Sequence, residues 1–347
     1  MKVKLTWCGG EQPISEFPLG LGYLKSNTRG HDVEIVQPGS SLDDCDMIGL
    51  STNVFGIKEA ITIAEESIVP VIVGGQGTLW DGLKDYRFDY IVRGEGELAF
   101  QKILDGELAG QVVSEPLIED IDSIEYPDRG KCGSKIPIFT SRGCPFSCNF
   151  CASSVFWGRV RWHSAGYVID EIEDLLRRYP EAKTLYTLDD LFVGNAARFD
   201  AIFDEWMRRG WDKRLTILGF FRSPSMTENL ARKMKRMGWE SARFGAESGS
   251  NRILKLMNKR ATVEDHQRAI DICNSVGLTV KASFIRGYPG ETEEDKQATI
   301  DFIERNNGRM EVAGDYTFRP FPGTLHYNGE DLTEIDMPTR AAAAGFR

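Results

Sequence analysis

The stretch TSRGCPFSCNFCASS, residues 140–154, holds three of the seven cysteines of this 347-residue chain. Cys144, Cys148 and Cys151 fall within eight residues, with no fourth cysteine beside them. Short cysteine spacings on a loop allow one backbone segment to wrap a single iron–sulfur cluster, and three thiolates leave one iron of a cubane open to another ligand. Because the stretch begins where a predicted strand, Pro137–Thr140, ends, the spacing predicts a [4Fe-4S] site at a strand end.

Other interpretations of the three cysteines stay open at this point. Their spacing also fits one face of a helix, which would make them buried structural residues, although Gly143 and Pro145 disfavour a helix there. A structural zinc site would need a fourth ligand, for which His163 or Cys132 is available. A catalytic thiol would not require three cysteines.

The charges around the cysteines favour the cluster. Residues 141–164 contain no Asp or Glu, but they contain Arg142, Arg159 and Arg161. A cationic surrounding stabilises thiolates and an anionic ligand. We therefore expect these arginines to provide a positive environment for the site.

Length and composition limit the class of protein. A chain of 347 residues exceeds the usual size of one core, which predicts two domains. No apolar run approaches the roughly 18 residues of a membrane span. The N-terminus lacks a secretory signal, and the odd cysteine count argues against a disulfide framework, so we expect a protein of the cytoplasm. The net charge of -10 argues against nonspecific nucleic-acid binding.

Residues 1–106 alternate short apolar strands with helical stretches such as 57–67. The predicted strands are Val3–Trp7, Val33–Val36, Met47–Ser51, Val71–Val73 and Tyr90–Val92. This alternation predicts an α/β domain with a Rossmann-like, doubly wound parallel sheet covered on both faces. Ligands of such sheets bind at the carboxyl ends of the strands, where the sequence places Ser51, Thr52, Gly74, Gly75, Arg93, Gly94 and Glu95.

A second alternation fills residues 136–325, after an acidic segment, 107–135, that we interpret as a linker. Its predicted strands are Pro137–Thr140, Thr184–Leu188, Leu215–Phe220, Ser241–Ala246, Thr279–Ile285 and Glu311–Phe318. Six strand–helix units predict a partial (β/α)6 barrel of the TIM type, with its chemistry at the C-terminal ends of the strands. Residues 326–347 are expected to form a short C-terminal tail.

Four motifs in this second part resemble the radical S-adenosylmethionine (SAM) superfamily. They are C-x3-C-x2-C with an aromatic residue before the last cysteine, LDD at 188–190, GAESGS at 245–250 and FIRGYPGET at 284–292. The resemblance covers most of residues 136–323. It implies that the open iron is chelated by the amino and carboxylate groups of SAM, and that an electron from the cluster cleaves SAM to a 5′-deoxyadenosyl radical.

The resemblance also implies roles for residues that bind SAM. Phe150 would contact the adenine, and Ile285 and Gly287 would flank that ring on the fifth strand. Glu247 and Ser248 would lie near the ribose or the methionine part. Each of these has a structural alternative, such as a turn glycine or a member of a buried ion pair.

Three further polar residues stand at strand ends. Arg222 is expected to pair with the SAM carboxylate, because a guanidinium binds carboxylates in a bidentate fork. Asp189 and Asp190 are predicted to orient the substrate or to act as acid/base groups, with a helix N-cap as the alternative.

The segments of residues 1–106 resemble the cobalamin-binding domain that precedes the barrel in one radical SAM subgroup. The resemblance implies that backbone amides near Ser51, Gly74, Gly75 and Gly94 approach the corrin. The D-x-H-x-x-G signature, in which His ligates cobalt, is absent from the loop CGGEQPISEFPLG at 8–20. Either cobalt lacks a His ligand here or the domain has lost cobalamin.

The preferred interpretation is a cobalamin-dependent radical SAM methyltransferase that acts on an unactivated carbon. Two alternatives stay open: a radical SAM cyclisation, rearrangement or oxidation without methyl transfer, and a noncatalytic iron–sulfur electron-transfer protein. A methylthiotransferase is rejected, because only Cys8 and Cys45 are available for a second cluster in residues 1–106. The expected partners are a small-molecule or peptide substrate and an electron donor such as flavodoxin or ferredoxin, with no membrane.

Overall fold

A computed structural model describes residues 1–9 and 18–335 of the chain. The described residues form two compact units. The first draws on residues 1–9, 18–132, 155–161 and 321–335, and the second on Gly133–Ser154 and Trp162–Pro320. Most of the loop that lacks the cobalt-binding signature, residues 10–17, lies outside the described residues, as do residues 336–347 of the predicted tail. The predicted boundaries at 106, 135 and 325 stay predictions.

The first unit contains a six-stranded sheet in which every strand pair is parallel. Its strands are β1 (Lys2–Cys8), β2 (Asp32–Ile35), β3 (Met47–Thr52), β4 (Val71–Gly74), β5 (Tyr90–Val92) and β6 (Val112–Val113), in the order β2-β1-β3-β4-β5-β6. The helices are α1 (Leu19–Asn27), α2 (Ile57–Glu66) and α3 (Glu97–Leu104). Five predicted strands are confirmed. β6 was not predicted, because two residues carry no periodicity.

Both faces of this sheet are buried because successive side chains of a strand point to opposite faces. On one face Ile48 and Ile91 pack with Ala60 and Ala64 of α2. On the other face their neighbours Met47 and Val92 pack with α1 and α3, through residues such as Leu21 and Phe100. Strands that are buried on both faces have nearly continuous apolar sequences, which is the pattern of the predicted strands in residues 1–106.

The second unit contains most of the remaining strands and helices. The strands of the rest of the chain are β7 (Lys135–Ile138), β8 (Ser141–Arg142), β9 (Arg161–Trp162), β10 (Thr184–Thr187), β11 (Thr216–Leu218), β12 (Ala242–Glu247), β13 (Val280–Arg286) and β14 (Glu311–Thr317). The helices are α4 (Ser153–Trp157), α5 (Ala165–Arg178), α6 (Ala196–Arg208), α7 (Glu228–Arg236), α8 (Asn251–Leu256), α9 (Val263–Ser275) and α10 (Glu293–Arg305).

Six of these strands are parallel neighbours in chain order. β7, β10 and β11 form one sheet, and β12, β13 and β14 form another. A parallel bridge between Phe220, just after β11, and Arg243 of β12 joins the two sheets. The chain is therefore an α/β protein with parallel sheets, and its second unit is partly barrel-like, as predicted.

The six predicted strands of this unit are confirmed, with shifts at their ends. The first strand lies at Lys135–Ile138 rather than at Pro137–Thr140. Its end differs because the backbone N–H groups of Thr140 and Ser141 donate to the carboxylate of Asp189, at 2.6 and 2.9 Å, and not to a neighbouring strand. No helix among the described residues is long and apolar enough to span a membrane.

Candidate metal and cofactor site

The cysteine loop, residues 143–152, leaves the short strand β8 and ends at α4. Gly143 opens the loop with φ 81°, a left-handed conformation that favours glycine. Cys144, Cys148 and Cys151 lie outside any helix, and the N–H of Cys151 donates to the Cys148 carbonyl at 3.1 Å in a turn. All three are half-buried free thiols. The interpretation as buried cysteines on a helix face is therefore wrong.

A turn after α8, residues 257–260, holds this loop in place. Asn149 donates from its backbone N–H to the Met257 carbonyl at 2.9 Å and from Nδ2 to the Leu256 carbonyl at 2.8 Å. Asn258 donates from Nδ2 to the Ser147 carbonyl at 2.7 Å. Asn258 and Arg260 have left-handed φ angles of 51° and 50°. This turn was not predicted, because its sequence has no recognisable motif.

Arg222 brings a positive charge beside the cysteines that the neighbouring sequence did not predict. Arg222 is 9% exposed, and its Nη1 lies 3.9 Å from the Sγ of Cys148. Arg159 instead pairs with Glu119, and Arg161 pairs with Glu95 at 2.7 Å. A count of charges along the sequence cannot show that Arg159 and Arg161 pair with glutamates from distant positions. The role expected of Arg142 stays a prediction.

Burial disfavours the thiolate form at two cysteines of the loop. Burial raises the pKa of Cys144, and it raises the pKa of Cys151 to about 11. Iron bound to a thiol favours the thiolate and offsets this desolvation. Among the described residues no three His, Cys, Asp or Glu side chains are grouped to hold one metal ion. A cubane differs from such a site, since each thiolate bonds a different iron, and so the three half-buried cysteines fit a cluster.

Glu247 lies at the end of β12 with an unusual backbone. Its φ is 64°, and the pairing with β13 shifts between Gly245 and Glu247. A non-glycine residue in this region costs about 1–3 kcal/mol and often marks a functional site. The carboxylate accepts from Lys259 Nζ at 2.6 Å, in an ion pair whose side chains are 10% and 11% exposed. Lys259 was not predicted.

Ser248, Ile285 and Gly287 lie at neighbouring strand ends of the same unit, and Phe150 lies in the cysteine loop. Phe150 and Ile285 pack against an apolar cluster of Ile253, Met257 and Tyr288. Ser248 is buried, with its Oγ 3.3 Å from Thr299 Oγ1, and the N–H of Gly287 donates to Glu291 at 2.6 Å. Their contacts with SAM stay predictions.

The two aspartates after β10 have different surroundings. Asp189 is 2% exposed and accepts from the N–H and Oγ1 of Thr140 and from the N–H of Ser141. Burial raises its pKa, and these hydrogen bonds and Arg198 oppose the rise. Asp190 is exposed and accepts from Ser153 Oγ. Their catalytic roles stay predictions, but Asp190 is the more accessible of the two.

A buried histidine lies next to Arg222 in the same unit. Ser223 Oγ lies 2.6 Å from Nδ1 of His266, whose ring contacts Phe244 and Phe302. Burial, together with the positive charges of Lys259 and Arg222, lowers the pKa of His266 from 6.5 to about 4. The imidazole is therefore neutral in the folded protein at neutral pH.

This histidine makes stability depend on pH. Between pH 6.5 and about 4 the unfolded chain binds a proton at His266 that the folded chain does not, so the free energy of unfolding falls as the pH falls. We expect this residue to contribute a loss of up to about 3 kcal/mol over that interval, at about 1.4 kcal/mol per unit. Urea unfolding at a series of pH values, compared with His266→Asn, measures it. Equal pH slopes for both proteins would contradict the prediction.

In the first unit the predicted cofactor residues gather at one edge of the sheet. Ser51 and Thr52 end β3, Gly74 ends β4, and Gly75 follows it. Gly75 has φ 89°, and a Cβ there would lie 2.6 Å from the Thr52 carbonyl oxygen, so only glycine fits. The three strands β3, β4 and β5 are neighbours, and this places the predicted residues side by side.

The residues that follow β5 are held by protein groups. Arg93 donates to Asp81 at 2.6 Å, and Glu95 accepts from Arg161 and from the N–H of Ile118 at 2.8 Å. Glu95 and Arg161 are only 3% and 5% exposed at their side chains. Glu95 thus has a structural ion-pair role in the fold, and its predicted cofactor contact stays a prediction.

Comparison with known proteins agrees with this arrangement. Residues 138–303 match the family described as the radical SAM superfamily. An uncharacterized methyltransferase of Pyrococcus horikoshii is 33% identical, with 88% of this chain and 77% of that protein covered. The structure is similar to the radical SAM methyltransferase TsrM from Kitasatospora setae, with a TM-score of 0.75 at 20% identity, over 93% of this chain and 74% of that one. It is also similar to the cobalamin-dependent SAM radical enzyme OxsB, with a TM-score of 0.73 at 21% identity, over 90% of this chain and 53% of that one.

The similarity to the Pyrococcus protein covers most of both chains, and the residues of the family match include the cysteine loop. The predicted family is therefore confirmed. The chain belongs to the radical SAM superfamily, whose members are enzymes that use a [4Fe-4S] cluster and S-adenosylmethionine.

Proposed function

We propose that this protein is a cobalamin-dependent radical SAM methyltransferase that methylates an unactivated carbon. The observation that carries the proposal is that one chain contains two units. The first has a parallel sheet with glycines at the carboxyl ends of its strands, and the second has two three-stranded parallel sheets and the cysteine loop. Similar proteins bear methyltransferase and cobalamin-dependent names. We interpret the second unit as a partial (β/α)6 barrel, with its site at the carboxyl ends of the strands.

In the second unit the chain's own residues hold and orient the cofactors. Cys144, Cys148 and Cys151 would hold three irons of the cluster, which with SAM bound supplies radical chemistry. The apolar cluster around Phe150 and Ile285 offers a surface for the adenine and excludes water from it.

The residues of the first unit fit cobalamin. The strand order β2-β1-β3-β4-β5 is that of flavodoxin-like, doubly wound sheets, which bind ligands where the strand order reverses, between β1 and β3. A Cβ added at Gly74 or Gly94 would meet no atom within 4 Å, so a ligand can approach the backbone there.

Cobalt in this protein would lack the usual histidine. The first-strand loop has no His at all, and cobalamin would be held by shape and by backbone groups. Bound cobalamin would supply methyl-transfer chemistry, and the backbone near Ser51, Gly74, Gly75 and Gly94 would hold and orient it. The free cysteines suit a reducing compartment such as the cytoplasm, where a flavodoxin or ferredoxin can donate electrons. The substrate class we propose is a small molecule or peptide.

Anaerobic reconstitution of the full chain with iron, sulfide and cobalamin tests the proposal. With SAM and a reductant we expect 5′-deoxyadenosine and S-adenosylhomocysteine, and the purified protein should keep the absorbance of bound cobalamin after gel filtration. A matched sample reconstituted without cobalamin should form no S-adenosylhomocysteine. If 5′-deoxyadenosine forms without cobalamin binding or S-adenosylhomocysteine, a cyclase, rearrangement or oxidation enzyme replaces the methyltransferase. If neither product forms, the electron-transfer alternative gains support.

A further inference from the structure

Arg222 follows β11, and its side chain is fixed against the cysteine loop. The guanidinium carbon lies 3.8 Å from the centre of the Phe146 ring, and Nη1 lies 3.9 Å from the Sγ of Cys148, within hydrogen-bonding reach of sulfur. Nη2 donates to the carbonyl of Lys259 and, at 3.2 Å, to the carbonyl of Arg260. With 9% exposure the side chain has little freedom, so its orientation is set by these contacts.

The carbonyls that hold Arg222 are themselves anchored. They belong to the 257–260 turn, which is joined to the cysteine loop through Asn258 and Asn149. The side chain of Lys259 is tied to Glu247 by the buried ion pair. Arg222 therefore sits in a preformed cradle that exists independently of its own contact with Cys148.

We propose that Arg222 is a positioning residue for the iron–sulfur cluster, which directs an N–H at the sulfur of Cys148 and stabilises the reduced cluster. Reduction adds one electron, which a one-electron donor protein or a chemical reductant supplies, and it makes the cluster more negative. A fixed cation and an N–H donor beside a thiolate ligand favour the reduced form and raise the midpoint potential. Desolvation of the guanidinium strengthens the interaction.

This inference rests on Cys148 as a cluster ligand and does not require methyl transfer. It differs from the predicted pairing of Arg222 with the SAM carboxylate. The hydrogen bonds described for Arg222 go to sulfur and to backbone carbonyls. The two roles have different measurable results, since one changes the potential of the cluster without SAM and the other changes the affinity for SAM.

The test is a redox titration of the reconstituted full chain without SAM, followed by the electron paramagnetic resonance signal of the reduced cluster. At the wild-type midpoint potential we expect the reduced-to-oxidised ratio of Arg222→Gln to be about tenfold lower, which is 59 mV for a one-electron couple. The midpoint potential of Arg222→Lys should fall by a smaller amount. Lysine keeps the positive charge but loses the planar guanidinium, with its several N–H donors and its contact with the Phe146 ring. Arg232→Gln is the matched control, since Arg232 is an exposed residue of α7 that pairs with Glu228. It should titrate like the wild type.

An unchanged midpoint potential in Arg222→Gln, with iron and sulfide content equal to the wild type, overturns the proposal. A weaker affinity for SAM at an unchanged potential would assign Arg222 to the carboxylate instead. If Arg222→Gln assembles no cluster, Arg222→Lys decides: a lower potential supports the proposal and a wild-type potential overturns it. A wild-type chain that binds no iron would overturn the ligand assignment itself.

Discussion

Replacement of Cys144, Cys148 and Cys151 by alanine is expected to abolish the brown chromophore and the cleavage of SAM. Each thiolate bonds a different iron, so the loss of all three removes every protein ligand assigned to the cluster. Iron and sulfide content after anaerobic reconstitution should fall to background. Formation of 5′-deoxyadenosine should fall by more than about 100-fold, because the electron that cleaves SAM comes from the cluster.

The control for this variant is Cys132→Ala. Cys132 was one of the two candidates for the fourth ligand of a zinc site, and a cubane with an open iron does not need it. We expect Cys132→Ala to keep the chromophore, the iron content and the activity of the wild type. Iron retained in the triple variant, or lost in Cys132→Ala, would contradict the ligand assignment. Far-ultraviolet circular dichroism of all variants shows whether the fold is intact.

Asp189→Ala is expected to lower the free energy of unfolding by about 3–5 kcal/mol. The carboxylate accepts hydrogen bonds from Thr140 and Ser141 in a site where it is 2% exposed. Its removal leaves buried N–H and hydroxyl donors without an acceptor, and the chain that enters the cysteine loop loses its anchor. Urea unfolding followed by tryptophan fluorescence measures the loss.

Asp190→Asn is the matched comparison for Asp189→Ala. Asp190 is exposed and is bonded to Ser153, so its substitution should change the free energy of unfolding by less than about 1 kcal/mol. If Asp190→Asn is stable but inactive, the predicted role of Asp190 in substrate chemistry gains support. Wild-type stability of Asp189→Ala, together with a loss of activity, would contradict an anchoring role and favour a catalytic one for Asp189.

Both expected effects concern the same short piece of chain, where β7 passes into the cysteine loop. Asp189 anchors the loop at its start through the N–H groups of Thr140 and Ser141, whereas the 257–260 turn holds its middle through Asn149 and Ser147. The loop is therefore fixed at both places by contacts with the rest of the chain. The conformational entropy of the loop is thus lost when the chain folds, rather than when the metal binds.

The cysteine loop and most strands could be predicted because their signals are local. A spacing of C-x3-C-x2-C lies within eight residues, and the apolar runs of strands such as Met47–Thr52 report burial on both faces directly. By contrast, β6 has only two residues and pairs with β5, so no local pattern marks it. The end of β7 also has no local signal, because Asp189 accepts hydrogen bonds from the backbone donors that would have extended the strand.

The sequence by itself determined the family, the alternation of strands and helices, and the three cysteines, because each depends on residues close together in the chain. Only the tertiary structure decided which charges meet. Asn258 binds Ser147 across 111 positions, and Arg222 reaches Cys148 across 74. Arg161, although close to the cysteines in the chain, is neutralised by Glu95, which lies 66 positions away. Electrostatic partners are chosen by distance in space, and a linear pattern of charges does not contain that distance.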